Sequence, residues 1–263
     1  MSTVNAGWRG PNIVRDGLVL YLDAGSGTSY SLYTGGVTWR DISGNNNNGT
    51  LTNGPTLNSS NGGNIVFDGV NDYVNLDAYA SNIIFNSPAS INIWLRPLYN
   101  KTSVGAIFQI GDGVAVSGGS TGRSFVIFYG STTAGLASET FVLANYINGD
   151  DVATTTLYGV ENGTEYQNTW VNICAVIGIN TWTFYINGVD TTLTKGSFWD
   201  GTTFGYGNNI NTKAVVSLGC TRQNITVGVP MLANIATTQI YNRALSSTEV
   251  LQNYNATRAR FGL

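Results

Sequence analysis

Short apolar runs, repeated along the whole chain and separated by small polar residues, constrain the fold more than any other feature of this sequence. The runs are rich in Val, Ile, Phe, Tyr and Trp, which favour extended backbone. Between them lie mainly Gly, Asn, Ser and Asp, which form turns. Eleven runs have this character: GLVLYLD, NIVF, DYVNL, SINIWL, GAIFQI, SFVIFY, TFVLANY, TWVNICAVIG, TWTFYING, VVSLG and IATTQIY. The pattern predicts an all-β protein, an antiparallel β-sandwich of two sheets.

The composition fits one large sandwich domain. Only 10% of the 263 residues are charged, 42% are hydrophobic and 33 are glycine, which is typical of strands joined by turns. We expect a single domain over residues 16–263. Residues 1–15 precede the first strand and form either an anchoring arm or a terminus partly packed on the sandwich.

One hairpin is predicted in detail. In TWTFYINGVDTTLT, two strand-like runs are joined by Asn187 and Gly188, which tolerate the positive φ angles of a type I′ turn. The run TWVNICAVIG precedes this hairpin, so the sequence predicts a meander of three strands.

A single short helix is predicted near the C-terminus. Ser246 and Glu249 have the spacing of a capping box, and Val250, Leu251 and Tyr254 would form its apolar face. The helix is expected to cap the sandwich. The ending RARFGL could pack on a neighbouring molecule or on the same fold, and packing on the same fold is expected first.

Several aromatic and sulfur-containing side chains are predicted to be buried. Trp94, Trp170 and Trp182 lie inside strand patterns. Cys174 and Cys220 lie in strand-like runs as well, so two buried free thiols are expected rather than a disulfide.

Charge and residue usage argue against several classes of protein. The net charge of -3 leaves no basic stripe for nucleic acid, and no apolar run is long enough to span a membrane. The opening MSTVNAGWRG lacks the features of a secretory signal, so synthesis in the cytosol is expected. The chain has no His, which removes the usual general base and argues against catalysis.

Five longer motifs resemble a known family. They are GLVLYLDAG and WRDISGNNNNGTLTNGP, then IVFDGVNDYV, then WVNICAVIG with WTFYINGV, and finally IYNRALSSTEVLQNY. In this order they resemble the concanavalin A-like jelly rolls of the laminin G type, over nearly the whole chain. The resemblance implies that the predicted sandwich is a jelly roll.

The opening GPNIVRDGLVLYLDAG and the ending YNATRARFGL also resemble versions of this domain in bacteriophage particles, particularly those of marine phages. This implies a non-enzymatic virion structural protein, such as a capsid decoration, a fibre, or a tail or neck appendage. Such a protein would be assembled in the host cytoplasm and contact other virion proteins. It would form a homo-oligomer, with a trimer as the first expectation, and its rim loops would contact another subunit or a host-surface glycan. The alternative is a calcium-dependent carbohydrate-binding module of an adhesin.

A candidate metal site lies in FDGVNDYV. Asp68, Asn71 and Asp72 could supply three of the six to eight oxygen ligands that calcium requires, and Asp112 would join them if its loop reaches the same rim. The other interpretation is an Asx turn, in which Asp68 and Asn71 accept backbone N–H groups.

The family resemblance bears on this site. Calcium-binding relatives often read IDDV where this chain has IATT, so Ala236 and Thr237 stand where carboxylates are expected. This departure favours the turn.

The best candidate for carbohydrate binding is the stretch of residues 195–209. It interleaves aromatic rings, which stack on sugars, with Gly, Asp and Asn. The candidate residues are Phe198, Trp199, Asp200, Phe204 and Tyr206. The other interpretation is that these rings fold back onto the sandwich or lie in a subunit interface.

An enzyme of this fold class would carry recognisable groups. Jelly-roll glucanases place their two carboxyl groups in a Glu-x-Asp-x-x-Glu pattern, which this chain lacks. The only four Glu residues are Glu139, Glu161, Glu165 and Glu249. We therefore expect no enzymatic activity.

Overall fold

The structure of the chain is a computed structural model. The described residues are 12–30, 36–80, 88–98, 104–111, 124–130, 140–149, 152–160, 166–178, 181–195, 215–223 and 226–263. Among them, no helix has the length and apolar character needed to cross a bilayer.

Nineteen strands lie within these residues. In chain order they are β1 Leu18–Asp23, β2 Thr38–Trp39, β3 Gly49–Thr52, β4 Thr56–Asn58, β5 Asn64–Asp68, β6 Tyr73–Asn75, β7 Ala89–Pro97, β8 Val104–Gly111, β9 Ser124–Gly130, β10 Thr140–Gly149, β11 Val152–Val160, β12 Val171–Ile177, β13 Trp182–Ile186, β14 Val189–Thr191, β15 Leu193–Lys195, β16 Val215–Leu218, β17 Arg222–Gln223, β18 Thr226–Val227 and β19 Leu232–Tyr241. One α-helix, α1 (Ser247–Thr257), follows them.

The strands form two large antiparallel sheets. Sheet A has the order β14-β13-β12-β7-β19-β5-β4, with β1 also paired to β19. Sheet B has the order β15-β11-β10-β9-β8-β16-β6-β3-β2, and β17 and β18 form a separate hairpin. The architecture is a two-sheet sandwich with one short C-terminal helix, consistent with the predicted jelly roll.

The core lies between the two sheets and is built from alternate residues of each strand, because successive side chains of a strand point to opposite faces. Sheet A contributes Leu20, Ile65, Ile91, Ile93, Ile173 and Phe184, and sheet B contributes Phe108, Ile110, Ile127, Phe141, Val216 and Leu218. The predicted apolar runs therefore supply the buried face of each sheet.

Strand β19 organises sheet A. One edge of β19 pairs with β7, and the other pairs with β5 in its first half and β1 in its second half. Leu232, at its start, lies opposite Asp68, and Tyr241, at its end, lies opposite Leu18. Asp68 and Leu18 are thus at opposite rims, roughly 30 Å apart along the strands.

The predicted hairpin and meander are confirmed. Asn187 and Gly188 have φ angles of 51° and 77°, as a type I′ turn requires. β13 pairs with β12 on one side and β14 on the other.

The predicted helix begins as expected, but its buried face differs. The side chain of Ser246 accepts the N–H of Glu249, and Glu249 accepts the N–H of Ser246, which forms the capping box. Val250 is buried, whereas the prediction for Leu251 is wrong, because it is exposed. Asn253 is buried in its place, since its amide bonds to groups on the sandwich.

The end of the chain packs on the fold, as predicted. Arg260 donates to the Asp23 carboxylate at 2.7 Å, to the Asn61 carbonyl at 2.6 Å and to the Gly63 carbonyl. Phe261 is buried beside Trp94. The C-terminal segment therefore connects β1, the turn before β5 and the outer face of sheet A.

The start of the described chain also packs on the sandwich. Ile13 and Val14 are buried with residues of sheet A and α1, although both belong to the predicted arm of residues 1–15. Residues 1–11 lie outside the described part. Cys174 and Cys220 are buried and unpaired, as expected.

Candidate functional site

The loop of residues 68–72 connects the two sheets. β5 ends at Asp68 in sheet A, and β6 begins at Tyr73 in sheet B. Gly69 turns the chain with a φ of 77°, and a Cβ atom at this position would lie 2.9 Å from the Cβ of Leu232. The loop is held between strands at both ends, so its shape depends on the packing of the sandwich.

Four hydrogen bonds fix the loop. Oδ1 of Asp68 accepts the N–H groups of Val70 at 2.8 Å and Asn71 at 3.4 Å, which forms an Asx turn. Oδ2 of Asp72 accepts the N–H of Asp68 at 3.1 Å. The amide of Asn53 donates to the carbonyl of Asn71 at 2.9 Å. The turn interpretation is correct for Asp68, whereas Asn71 takes part through its backbone.

The loop combines a buried carboxylate with an exposed tip. Asp72 is only 4% exposed. Burial raises its pKa, and the nearby Asp68 charge adds to this effect, while the hydrogen bond from the Asp68 N–H opposes it. Asp68 and Asn71 are exposed, and Val70 at the tip is 68% exposed. The loop therefore presents polar and apolar groups in a fixed arrangement.

The oxygens available to a cation are limited. The second oxygen of Asp68, Oδ1 of Asp72 and the side chain of Asn71 have no hydrogen bond to other described residues. In the described part of the chain, no three His, Cys, Asp or Glu side chains come together as a metal-binding group. A calcium ion here would use two carboxylates, the Asn71 amide, backbone carbonyls and water.

The fourth predicted metal ligand, Asp112, lies outside the described residues. The strand before it, β8, ends at Gly111, which pairs with Val215. Leu218, at the other end of β16, pairs with Val74 beside the 68–72 loop. The described end of β8 is therefore about 10 Å along the strands from the row of Val74, on the side away from the loop. A role for Asp112 stays a prediction.

The IATT segment lies away from the loop as well. Asp68 pairs with Leu232, and Ala236 is four residues further along β19, about 13 Å away. Ala236 is buried among aromatic side chains, and Thr237 is buried too. Carboxylates at these two positions would not reach the Asp68 carboxylate.

The predicted carbohydrate-binding residues Phe198, Trp199, Asp200, Phe204 and Tyr206 lie outside the described residues. β15 ends at Lys195 before them, and β16 begins at Val215 after them. Their role in sugar binding stays a prediction.

Residues 219–223 and 226–229, which include the paired strands β17 and β18, cover part of the outer face of central strands of sheet B. The hydroxyl of Ser217 donates to the carbonyl of Cys220 at 2.9 Å, and the amide of Gln109 donates to the carbonyl of Arg222 at 3.3 Å. Ser217 and Gln109 are buried as a result.

Arg222 is the buried centre of this cover. Its side chain is 1% exposed, donates to the carboxylate of Asp77 and to the carbonyl of Val216, and lies 4.7 Å above the ring of Tyr73. This contact could not be predicted from the sequence, because Arg222 lies in a polar segment and Asp77 is 145 positions away. A buried arginine needs such a partner to offset its desolvation.

The outer face of sheet A is covered by α1 and the start of the described chain. The N–H of Val14 donates to the side-chain oxygen of Asn253 at 2.8 Å. The Asn253 amide donates to the hydroxyl of Tyr241, and that hydroxyl donates to the carbonyl of Val14. These contacts bury this part of the outer face of sheet A beneath α1 and the start of the described chain.

Several carboxylates are committed to the fold. Asp41 accepts two backbone N–H groups through Oδ1, and a hydroxyl and a third N–H through Oδ2. Asp23 binds Arg260, Asp77 binds Arg222, and Glu249 binds Arg243. The hydrogen bond from Arg243 lowers the pKa of Glu249 to about 2. These groups hold loops and helix ends in place.

The sequence can now be placed among known proteins. A family model described as the concanavalin A-like lectin/glucanases superfamily matches residues 68–251, well over half of the chain. The chain belongs to this superfamily. The match begins at Asp68 and includes the 68–72 loop of this lectin-like domain. A search of curated proteins found no match to the sequence.

Solved structures share the fold at low sequence identity. One is a structure of botulinum neurotoxin type C, whose cell entry depends on interaction with two ganglioside molecules. Its TM-score is 0.60 and its identity is 13%, over 93% of this chain and 52% of that chain. Domain 4 of the Geobacillus stearothermophilus arabinanase AbnA, in complex with arabinotriose, has a TM-score of 0.56 and 17% identity, over 90% of this chain and 98% of that chain.

A third similar structure is Trypanosoma rangeli sialidase, with a TM-score of 0.57 and 12% identity. The alignment covers 93% of this chain and 33% of that chain. The lectin-like domain thus spans about a third of the sialidase chain and about half of the neurotoxin chain. At these identities the likeness shows a shared fold.

Proposed function

We propose that this chain is a non-enzymatic carbohydrate-binding domain. The proposal rests mainly on the 68–72 loop, which is held by four hydrogen bonds. The loop exposes Asp68, Val70 and Asn71 at one rim of the sandwich. Carboxylate and amide groups can bind sugar hydroxyls, and an apolar side chain can contact a sugar ring. The fold shared with an arabinotriose-bound domain and with a ganglioside-dependent toxin supports this proposal.

The absence of catalysis is part of the same proposal. It is supported by the lack of any His in the sequence and by the structural roles of Asp23, Asp41, Asp77 and Glu249. A glycosidase needs a pair of carboxyl groups facing its substrate. Assays with glycan substrates of the sialidase and arabinanase classes should give no turnover above that of a heat-inactivated sample. Reproducible turnover would refute this part.

We also propose that the domain belongs to a bacteriophage particle, where it contacts other virion proteins and a host-surface glycan. The resemblance of the first and last segments to virion-associated domains supports this context. The position of β1 supports it as well, because β1 begins at the rim opposite the 68–72 loop. A chain attached to the particle before β1 would therefore present the loop on the side away from the attachment.

Two measurements test the particle context. Mass spectrometry of purified particles of the phage whose genome encodes this sequence should detect the chain. Light scattering of the purified protein should give the mass of a homo-oligomer, with a trimer expected. A protein missing from such particles would contradict the virion role, and a monomer at all concentrations would contradict the oligomer.

The alternative function is calcium-dependent carbohydrate binding. It is favoured by the oxygens of Asp68 and Asp72 that have no hydrogen bond in the described structure. Titration calorimetry with calcium separates the two versions. A heat of calcium binding that is present in the wild-type protein and absent in Asp72→Asn would support calcium-dependent binding. No heat in the wild-type protein would favour carbohydrate binding without a metal.

A glycan array with the wild-type protein tests carbohydrate binding itself. It should be repeated with Asp68→Asn, which keeps the acceptor of the Asx turn but removes the charge, and with Asn71→Ala. Asp190→Asn is the matched control, because Asp190 is an exposed carboxylate beside another tight turn, in β14. Weaker binding by the two loop variants, with an unchanged control, would support the loop as the site. No binding on any array, with or without calcium, would refute the function.

A further inference from the structure

Four Asn-Gly pairs have an asparagine side chain that the structure describes. The asparagines are Asn48, Asn53, Asn61 and Asn187. An Asn-Gly pair is chemically labile, because the unhindered glycine nitrogen can attack the side-chain carbonyl carbon of asparagine. The glycine nitrogen loses its proton, the C–N bond to the amide breaks, the amide nitrogen leaves as ammonia by taking up a proton, and a succinimide forms. Water then opens the ring to aspartate or isoaspartate. This reaction requires the asparagine side chain to rotate freely.

Three of these side chains are held through their carbonyl oxygen. Asn48 accepts the N–H of Asp41 at 2.9 Å, and Asn61 accepts the indole N–H of Trp170 at 3.0 Å. Asn187 accepts the N–H of Asn172 at 3.0 Å. Each donor belongs to a distant or buried part of the fold. Rotation toward the glycine nitrogen would break these bonds, so the fold opposes succinimide formation at all three positions.

Asn53 is held differently. It is exposed, as is Gly54, and its one hydrogen bond to the described residues is the donation from its amide nitrogen to the carbonyl of Asn71. That acceptor belongs to the exposed 68–72 loop, and no described donor holds the carbonyl oxygen of Asn53. Its side chain is therefore the least restrained of the four.

We propose that Asn53 is a site of spontaneous deamidation that controls the 68–72 loop. Conversion to aspartate removes the two N–H groups of the side chain, so residue 53 can no longer donate to Asn71. The new carboxylate would repel that carbonyl. Both effects loosen the loop.

This inference depends on hydrogen bonding alone and does not require the proposed carbohydrate function. If the loop binds glycans, deamidation would reduce binding as the protein ages. The two ideas fail separately, because deamidation is measured as a chemical change and binding is measured on an array.

The first test is a time course of the folded wild-type protein at mildly alkaline pH. Peptide mapping by mass spectrometry should separate the asparagine, aspartate and isoaspartate forms of the four peptides. We expect Asn53 to convert first, while Asn48, Asn61 and Asn187 stay intact. The same protein unfolded in guanidinium is the control, and there all four should convert at comparable rates. An Asn53 that stays intact as long as Asn187 in the folded protein would overturn the proposal.

The second test concerns the loop. Hydrogen exchange of the Val70 and Asn71 amides should become roughly fivefold faster in Asn53→Asp, as expected when one hydrogen bond is lost. Asn53→Gly tolerates the φ of 67° and removes the same donor without adding a charge, so it should show a smaller increase. Unchanged exchange in Asn53→Asp would show that Asn53 does not control the loop.

Discussion

The ring of Phe261 stacks on the indole of Trp94, with centroids 4.1 Å apart and planes inclined by 19°. Trp170 also contacts Phe261, with ring centroids 4.8 Å apart. The indole N–H of Trp94 donates to the hydroxyl of Thr257, and that of Trp170 donates to Asn61. The end of the chain is thus part of the packed interior.

Phe261→Ala should lower the free energy of unfolding by about 3–4 kcal/mol, because it removes a buried ring that contacts two indoles and leaves a cavity there. Leu263→Ala is the control, since Leu263 is 44% exposed and should change stability little. Denaturant unfolding, followed by tryptophan fluorescence, measures both. Equal stability of the two variants would mean that the C-terminal segment does not stabilise the fold.

The Arg222–Asp77 pair should respond unequally to removal of each partner. Asp77→Ala leaves the Arg222 guanidinium buried without its carboxylate and should cost about 3–5 kcal/mol. In Arg222→Met the Asp77 carboxylate loses its partner, but it is about one third exposed and can be hydrated. This variant should therefore lose less stability. Chemical unfolding of both single variants and the double variant gives the three values. A larger loss for Arg222→Met would contradict this account.

Glu249 should make stability depend on acid pH. Its pKa in the folded protein is about 2, below the ordinary 4.5, so the ionised form stabilises the fold above pH 4.5. This contribution is lost as pH falls from 4.5 through about 2. We expect it to be on the order of 1 kcal/mol, because the pair with Arg243 is partly exposed and solvent screens it.

Glu249→Gln should therefore lower stability at neutral pH and flatten the acid dependence. Asp190→Asn is the control, because Asp190 has no ion pair among the described contacts. Unfolding curves at several pH values give the comparison. An equally steep acid dependence in Glu249→Gln would contradict the assignment.

The Asp72 carboxylate should make stability depend on pH in the opposite direction to Glu249. Its pKa is raised by burial above the ordinary 3.8, so the ionised carboxylate is less favourable in the folded protein. Its contribution to stability should increase as pH falls from the raised pKa toward 3.8, and should be absent above the raised pKa. Asp72→Asn should remove this dependence while keeping an acceptor for the Asp68 N–H.

Asp72→Ala, which removes the acceptor as well, should lose about 1 kcal/mol relative to Asp72→Asn. Thermal unfolding across this pH range measures the difference. If all three proteins have the same pH profile, the Asp72 carboxylate does not contribute to stability in the way described.

Local patterns predicted much of the fold. Asn187 and Gly188 determine their own turn, and Ser246 and Glu249 form their capping box within one helical turn, so neighbouring residues were sufficient. β11 was not predicted, because three consecutive Thr residues interrupt the apolar residues of VATTTLYGV, and its pairing with β10 decides its conformation. Leu251 was assigned to the buried face of α1, since sequence cannot show which side of a helix meets hydrogen-bonding groups on a sheet.

The candidate site was predictable only in part. The Asx turn at Asp68 follows from residues a few positions apart, and so it could be predicted. The bonds from Asn53 to Asn71 and from Arg222 to Asp77 join residues 18 and 145 positions apart, respectively. Such contacts depend on the order of strands in the sheets, which the spacing of apolar runs does not give.

The central position of β19 has a mechanical consequence. If the chain is tethered before β1 while the 68–72 loop holds a surface, the tension enters at Leu18 and leaves at Asp68, at opposite rims of sheet A. The load then runs along the strands and passes through the β1–β19 and β19–β5 ladders. Their hydrogen bonds lie across the direction of pull, so many must break together rather than one after another.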